Sequence, residues 1–347
     1  MLFELYDLPV DAQGARLILG LALGLMFGIA AQISRFCLRR GLVAGPDRAP
    51  ALGTWAAALA TAIAATSAAI WAGWVDLSDH RLMVNDLPLL AIIVGGLAFG
   101  IGMVATRGCV SRLTVLGGTG NLRALTVLLV FALVAHATLK GVFAPVRVAL
   151  GSVTTDIGIA SLAELPGGML TWAALLIAGL VAAISALRPR ALHVALAAVI
   201  GLTVVAGWIA TGWLLMDEFD PLPVDSMAFT STWADTLFWT VASSSISAGF
   251  GVGVVGGVFA GAFLSALIRG ELAFASFSGA PETLRYVAGG ALMGFGGVLA
   301  GGCTVGAGLS GVSMLSVAAI VALASIAAGA LIADRALARA PVIQPAE

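Results

Sequence analysis

Residues 95–109 read GGLAFGIGMVATRGC, and residues 289–303 read GGALMGFGGVLAGGC. Five glycines and the final cysteine of the first stretch recur 194 residues later, and the same shift places Gly117 on Gly311. Repeats of this kind indicate an internal duplication. The sequence therefore predicts one domain over residues 1–347 that consists of two related halves, approximately residues 1–187 and 188–347.

Composition identifies the class of protein. Hydrophobic residues make up 60% of the chain and charged residues 10%, whereas charged residues are about 25% of a soluble domain. A helix needs about 20 apolar residues to cross a bilayer. Nine stretches qualify: residues 17–34, 51–75, 87–106, 123–140, 168–187, 191–216, 249–268, 285–302 and 314–333. We expect an all-α integral membrane protein with about nine transmembrane helices.

Alternating crossings give the two copies of the repeat opposite directions, as in inverted halves. A second shift, of 229 residues, aligns Gly20, Gly24 and Gly28 with Gly249, Gly253 and Gly257, and it pairs Cys37 with Ala266. These two segments run in the same direction, so one simple topology does not explain both shifts. We therefore expect re-entrant pieces, which membranes tolerate only where protein buries them or where they line a cavity. The candidates are Leu113 to Gly120, Thr304 to Ser313 and Asp235 to Ser247.

Glycines at every fourth position form stripes on the first and seventh apolar stretches. This spacing is typical of helices whose backbones pack closely together. We interpret the stripes as scaffold rather than as a ligand site.

Basic residues are distributed unequally between the predicted loops. With the N-terminus outside, 13 of the 17 Lys and Arg residues fall on the inner side: Arg35, Arg39, Arg40, Arg48, Arg107, Arg112, Arg123, Arg188, Arg190, Arg269, Arg285, Arg335 and Arg339. Basic residues favour cytoplasmic loops. The sequence thus predicts a periplasmic N-terminus and a cytoplasmic C-terminus. The net charge of −1 argues against a nucleic-acid partner.

The chain has three cysteines, Cys37, Cys109 and Cys303, and each follows the end of a Gly-rich apolar stretch. Their shared placement indicates a thiol-lined path, although a purely structural role for buried thiols is the main alternative. No C-x-x-C or H-E-x-x-H spacing occurs, and the three histidines are distant in sequence, so a metal site and a disulfide relay are disfavoured. We expect no cofactor.

Glycines beside the cysteines allow two interpretations. Gly108, Gly301 and Gly302 can adopt positive φ and bend the chain so that a thiol and backbone amides face a ligand. Thr304 begins a segment that suits a short helix N-terminus or an amide nest, which attracts anions. Simple helix capping explains the same glycines equally well.

The contexts Arg35-Phe36-Cys37, Arg107-Gly108-Cys109 and Gly301-Gly302-Cys303, spread over nine hydrophobic segments, resemble the YeeE/YedE family of bacterial inner-membrane sulfur transport proteins. The resemblance implies an hourglass-shaped bundle of inverted halves in membrane lipid, with the three cysteines on the pathway and no enzyme activity. It also implies thiosulfate or another sulfur or selenium compound as substrate, and a small TusA-like sulfur carrier on the cytoplasmic face.

A thiol is a polarizable, weak hydrogen-bond donor, which suits the soft terminal sulfur of thiosulfate better than the hard oxygens of sulfate. Arg35, Arg107 and Arg112 either draw the anion inward or only anchor the inner loops. The alternative function is a membrane thiol-redox protein that accepts sulfur as a persulfide.

Overall fold

The computed structural model describes residues 12–216 and 223–339, and within them helices provide almost all regular structure. The helices are, in chain order, α1 (Ala12–Ser34), α2 (Leu38–Leu42), α3 (Arg48–Trp71), α4 (Leu89–Ala105), α5 (Val110–Gly118), α6 (Leu122–Lys140), α7 (Ala144–Gly151), α8 (Gly168–Leu187), α9 (Ala191–Ile209), α10 (Thr230–Ala242), α11 (Phe250–Arg269), α12 (Ala280–Leu299) and α13 (Val317–Arg339). Two-residue strands, β1 (Asp86–Leu87) and β2 (Thr155–Asp156), pair antiparallel. The prediction of an all-α membrane protein is confirmed.

Eight helical stretches in the described part of the chain are long and apolar enough to cross a membrane. They contain α1, α3, α4, α6, α8, α9, α11 and α13, and each corresponds to a predicted crossing. The ninth predicted crossing, residues 285–302, lies largely within α12. This helix is 20 residues long but begins with Glu282 and Arg285 in its first two turns, which lowers its hydropathy.

Close backbone packing joins α1 to α11. Gly20 faces Phe250, Gly24 faces Val254, and Gly28 faces Val258, so the two helices run in the same direction. A Cβ atom at any of these glycines would overlap a backbone carbonyl oxygen of the opposite helix. The scaffold interpretation of the glycine stripes is confirmed.

The two copies of the repeated stretch pack against each other in opposite directions. Gly95 of α4 lies against Ala300, just after α12, and Gly102 of α4 lies against Gly289 of α12. The next long helix after each copy packs on the other copy: α6 packs on α12, and α13 packs on α4. Both of these contacts join parallel helices. The repeat therefore forms two interlocked units of opposite direction.

These directions gather arginines at one end of the bundle, which we call the arginine face. It contains the carboxyl ends of α1, α4 and α11 and the amino ends of α6 and α12. Residues 1–11 and 340–347, which the orientation prediction assigns to opposite sides of the membrane, lie outside the described residues.

Short helical pieces interrupt the long helices. The predicted piece Leu113 to Gly120 falls mainly in α5, and Thr304 to Ser313 contains a π-helical turn, Gly306–Gly311. All residues of 302–316 are buried, as required for irregular backbone at membrane depth. The third predicted piece, Asp235 to Ser247, is displaced: the helix α10 begins earlier, at Thr230, and ends at Ala242.

We predict that Gly257→Ala destabilises the protein whereas Gly256→Ala does not. The new methyl group at position 257 would overlap the carbonyl oxygen of Leu21 in α1, whereas the one at position 256 would meet no atom within 4 Å. Overpacking costs about 1–3 kcal/mol, while Gly→Ala in an unhindered helix gains up to about 1 kcal/mol. Thermal unfolding in detergent should show a lower midpoint for Gly257→Ala only. Equal midpoints would contradict the close α1–α11 contact.

Candidate functional site

All three cysteines follow the same kind of helix break. The helices α1, α4 and α12 each end shortly before a residue with left-handed backbone: Arg35 (φ 53°), Arg107 (φ 58°) and Gly301 (φ 74°). A cysteine stands two residues after each of these positions. Cys37 and Cys109 then precede the first residues of α2 and α5, and the carbonyl of Cys303 accepts the amide of Ala307 in the next turn.

Backbone hydrogen bonds explain why the helices stop there. Phe36 N–H donates to the carbonyl of Ala31, and Gly108 N–H donates to that of Met103, each over 3.1 Å. These bonds close the last turn in the manner of a Schellman cap. The expectation of positive φ is confirmed at Gly301 and wrong at Gly108 and Gly302. The left-handed residue is the one immediately before each of those two glycines.

Gly302 is instead required for space, and Gly108 is closely packed against a side chain. A Cβ atom at Gly302 would lie 2.7 Å from the amide nitrogen of Ala307, and one at Gly108 would lie 3.2 Å from Cδ2 of Leu113. Both glycines therefore allow the short piece after the cysteine to fold back on the end of the long helix. Arg35 and Arg107 bear the strain of left-handed backbone, roughly 1–2 kcal/mol for a residue with a side chain.

Two of the thiols are in contact. The sulfur of Cys37 lies 3.9 Å from that of Cys109, which is 3.2 Å from the hydroxyl oxygen of Ser111. All three cysteines are free thiols, and their exposed fractions are 3% or less. Cys37, Cys109 and Ser111 thus form a short, buried chain of polar atoms inside an apolar core.

Cys303 has its own surroundings. The amide of Gly306 donates to its sulfur over 3.4 Å, so one amide of the predicted nest is directed at the thiol. Thr304 is buried beside it, with 1% of its surface exposed.

The loop between α3 and α4 packs against the helix break that precedes Cys303. Leu82 packs against Gly301 and Gly311, and its carbonyl accepts the hydroxyl of Ser316 over 2.6 Å. His80 accepts the Leu82 amide at Nδ1 and packs edge-on against Trp208. Burial lowers the pKa of His80 to about 4, so its ring is neutral at pH 7 and can accept this bond.

The same anchored loop contains Arg81, a residue that no sequence motif indicated. Its side chain has an exposed surface, yet loss of hydration lowers its pKa, against the opposing effects of Asp225, Cys303 and Asp235. Arg81 is thus a cation within electrostatic range of Cys303. Only its position next to Leu82 could have indicated this, and the sequence gives no sign that Leu82 packs there.

The arginine face contains two cavities at the helix break that precedes Cys37. Their volumes are about 360 and 420 Å³, and Arg35, Arg40 and Asp47 line both. Arg112 lines the larger one and donates to the carbonyl of Ala31 at 3.4 Å. The predicted supporting residue Arg35 lines both cavities, whereas Arg107 lines neither.

A fourth break lacks a cysteine. The short helix α10 begins after Phe229, which occupies the position that Cys37 and Cys109 occupy before α2 and α5. The Phe229 ring packs 5.3 Å from that of Phe27, and the carbonyl of Met227 accepts the Ser310 hydroxyl. The shift of 229 residues pairs Cys37 with Ala266, which lies inside α11 rather than at a helix break.

Comparison with known proteins agrees with this geometry. The sulphur transport family matches residues 34–332. The thiosulfate transporter TsuA of Escherichia coli is 26% identical over 329 residues, which cover 86% of this chain and 88% of the relative. The thiosulfate transporter TsuA of Spirochaeta thermophila is 29% identical over 323 residues, covering 86% and 92%.

The matched region contains the three cysteines and the left-handed residues before them. It also contains most of the lining of both cavities and all eight apolar helical stretches in whole or in part. Together with the names of both relatives, it identifies a protein of membrane transport rather than an enzyme. The chain belongs to the sulphur transport (YeeE/YedE) family of multi-pass membrane proteins.

Proposed function

We propose that the protein carries thiosulfate, or a closely related sulfur oxyanion, across the bacterial inner membrane past Cys303, Cys109 and Cys37. The observation that carries this proposal is the shared geometry of the three breaks, each of which positions a thiol two residues after a left-handed residue. The names of the two relatives support thiosulfate as the substrate.

Neutral thiols suit this substrate for a physical reason. A thiol donates weakly and its sulfur is polarizable, so it can interact with the soft terminal sulfur of thiosulfate without binding it tightly. Transport requires sites that bind strongly enough for entry and weakly enough for release. Because the sulfurs of Cys37 and Cys109 are in contact, the ion would move from one thiol to the next without crossing an intervening barrier.

Cations lie at both ends of the proposed path, and the distribution of basic residues in the loops supports its direction. The ion would enter beside Arg81, pass Cys303 and then the Cys37–Cys109 pair, and leave at the arginine face near Arg35. The excess of basic residues in the predicted inner loops supports a cytoplasmic arginine face. In this orientation the N-terminus is periplasmic and the C-terminus is cytoplasmic.

We further propose that residues 1–347 act as one transport domain. Long helices of the first half, α1 and α4, pack directly against α11, α12 and α13 of the second, so neither half would retain its core alone. A small TusA-like sulfur carrier at the arginine face would accept the sulfur compound on arrival.

The short distance between the Cys37 and Cys109 sulfurs also favours a second candidate, a persulfide relay. In that reaction a cysteine thiolate would attack the outer sulfur of thiosulfate, form a new S–S bond and release sulfite. The neighbouring thiol would then attack the persulfide and accept its outer sulfur. Transport of intact thiosulfate needs neither intermediate.

We predict that Cys109→Ala and Cys303→Ala each reduce thiosulfate uptake into proteoliposomes to near background, since each removes one donor from the path. Cys→Ser at the same positions should also transport poorly, because a hydroxyl lacks the softness of sulfur. Ser265→Ala is a suitable control, as it removes a buried hydroxyl that has no hydrogen-bond partner among the described residues. Wild-type uptake by well-folded alanine variants would refute the thiol path.

Mass spectrometry during uptake separates the two candidates. Transport predicts unmodified cysteines and intact thiosulfate inside the vesicles. A persulfide on Cys37 or Cys109, with release of sulfite, would favour the relay.

We predict that excess sulfate outside the vesicles inhibits thiosulfate uptake only weakly. Sulfate matches thiosulfate in charge and approximate size but has no terminal sulfur for the thiols to bind. The measurement is uptake of labelled thiosulfate at increasing sulfate concentration. Strong competition would indicate a general oxyanion pore.

We predict that Arg81→Gln raises the half-saturating thiosulfate concentration by about tenfold, equivalent to about 1.4 kcal/mol, with a smaller effect on the maximal rate. Loss of the cation weakens capture of the ion beside Cys303 but leaves the thiols in place. Arg81→Lys should restore much of the affinity, and Lys140→Gln, at an exposed cation in the last turn of α6, should have little effect. An unchanged half-saturating concentration would exclude Arg81 from the entrance.

A further inference from the structure

A recess on the arginine face has a composition that the proposed thiol path does not require. This cavity, of about 360 Å³, is lined by Arg35, Arg40, Arg190, Arg269 and His193 together with a single acidic residue, Asp47. We call it the arginine basin. Its volume lies within the range of small-molecule sites and leaves room for a hydrated dianion.

Internal ion pairs neutralise only part of this charge. Arg40 pairs with Asp47 at 2.6 Å, and Arg269 pairs with Glu271 at 3.0 Å. Among the described residues, Arg35 and Arg190 form no ion pair within 4.0 Å. Two guanidinium groups without a direct ion-pair partner therefore line one concave surface, which concentrates positive potential there.

The basin is connected to the end of the thiol path by the chain itself. Arg35 is the left-handed residue two positions before Cys37, and its carbonyl accepts a hydrogen bond of 3.1 Å from Arg40. Arg40 belongs to α2, the short helix that follows Cys37. The orientation of both arginines thus depends on the same helix break as the thiol.

We propose that the arginine basin is a second binding site, for tetrahedral divalent oxyanions in solution, and that it holds the transported ion after it passes Cys37. The binding itself stands on the basin's geometry, whereas its place on the route rests on the proposed function. Guanidinium groups bind the oxygens of sulfate and thiosulfate alike. The basin therefore does not share the selectivity expected of the thiols.

An anionic lipid headgroup carries phosphate oxygens, which guanidinium groups would bind in the same way. A soluble ion is favoured because Asp47, at the rim, has 64% of its side chain exposed. Charged side chains are costly in hydrocarbon, so a cavity lined by four arginines and Asp47 is expected to open at the aqueous surface.

Binding of labelled sulfate to the purified protein in neutral detergent tests the proposal, because sulfate isolates the basin from the thiols. We expect saturable binding by the wild type. Removal of a charged contact typically weakens binding about tenfold or more, and we expect a loss of at least that size for both Arg190→Gln and the double variant Arg35→Gln/Arg190→Gln. Thermal unfolding would verify that the variants are folded.

Matched controls separate this site from general surface charge and from the thiol path. Arg188→Gln removes an exposed arginine from the same loop that does not line the basin, and it should bind sulfate like the wild type. Cys37→Ala should retain sulfate binding even though it stops transport. If wild-type protein bound sulfate but did not transport thiosulfate, the basin would stand and the proposed function would fail.

Two results would overturn the basin as an oxyanion site. One is equal sulfate binding by the wild type and the double variant. The other is loss of wild-type sulfate binding in nanodiscs of phosphatidylglycerol but not of phosphatidylcholine, which would assign the basin to a lipid headgroup.

Discussion

A helix that ends inside a folded protein leaves carbonyl groups that need new hydrogen-bond donors, and this constraint governs the arrangement of the site. Three long helices meet it in the same way, with a left-handed residue and a folded-back hydrogen bond to the last turn. The chain then starts a short helical piece, and the residue at the junction is a cysteine. Each cysteine therefore lies where the backbone changes direction. A path through the helix bundle can exist at such positions.

Glycine contacts make these breaks possible by bringing the long helices close together. The pairs α1 with α11 and α4 with α12 pack backbone to backbone, so the short pieces between them are surrounded by protein rather than lipid. This packing satisfies the condition that irregular membrane segments must be buried. Under the proposed function the glycines would contribute to transport indirectly, by supporting the geometry at Cys37, Cys109 and Cys303.

The positive charge of the arginines and the polarizability of the cysteine sulfurs have separate roles along the proposed route. Arg81 lies near Cys303, and the basin arginines lie beyond the Cys37–Cys109 pair, so cations flank a central stretch of neutral sulfur atoms. Cations attract oxyanions over several ångströms and discriminate little among them. Short contacts with sulfur act only within van der Waals distance and depend on the chemistry of the ion. Separation of the two interactions lets a weak, general attraction bring anions to the path, while contacts with the thiols supply the binding that sulfate cannot make.

The sequence by itself determined the membrane class, the positions of the crossings, the duplicated stretch and the three cysteines, because hydropathy, periodicity and rarity of residue type are local properties. It could not determine that Arg107 rather than Gly108 adopts the left-handed conformation, since backbone hydrogen bonds across the break decide this. It also gave no basis for placing Arg81 beside Cys303 or Arg190 beside Arg35. Those neighbours come from loops distant in the chain, and only the packing of the helices in three dimensions brings them together.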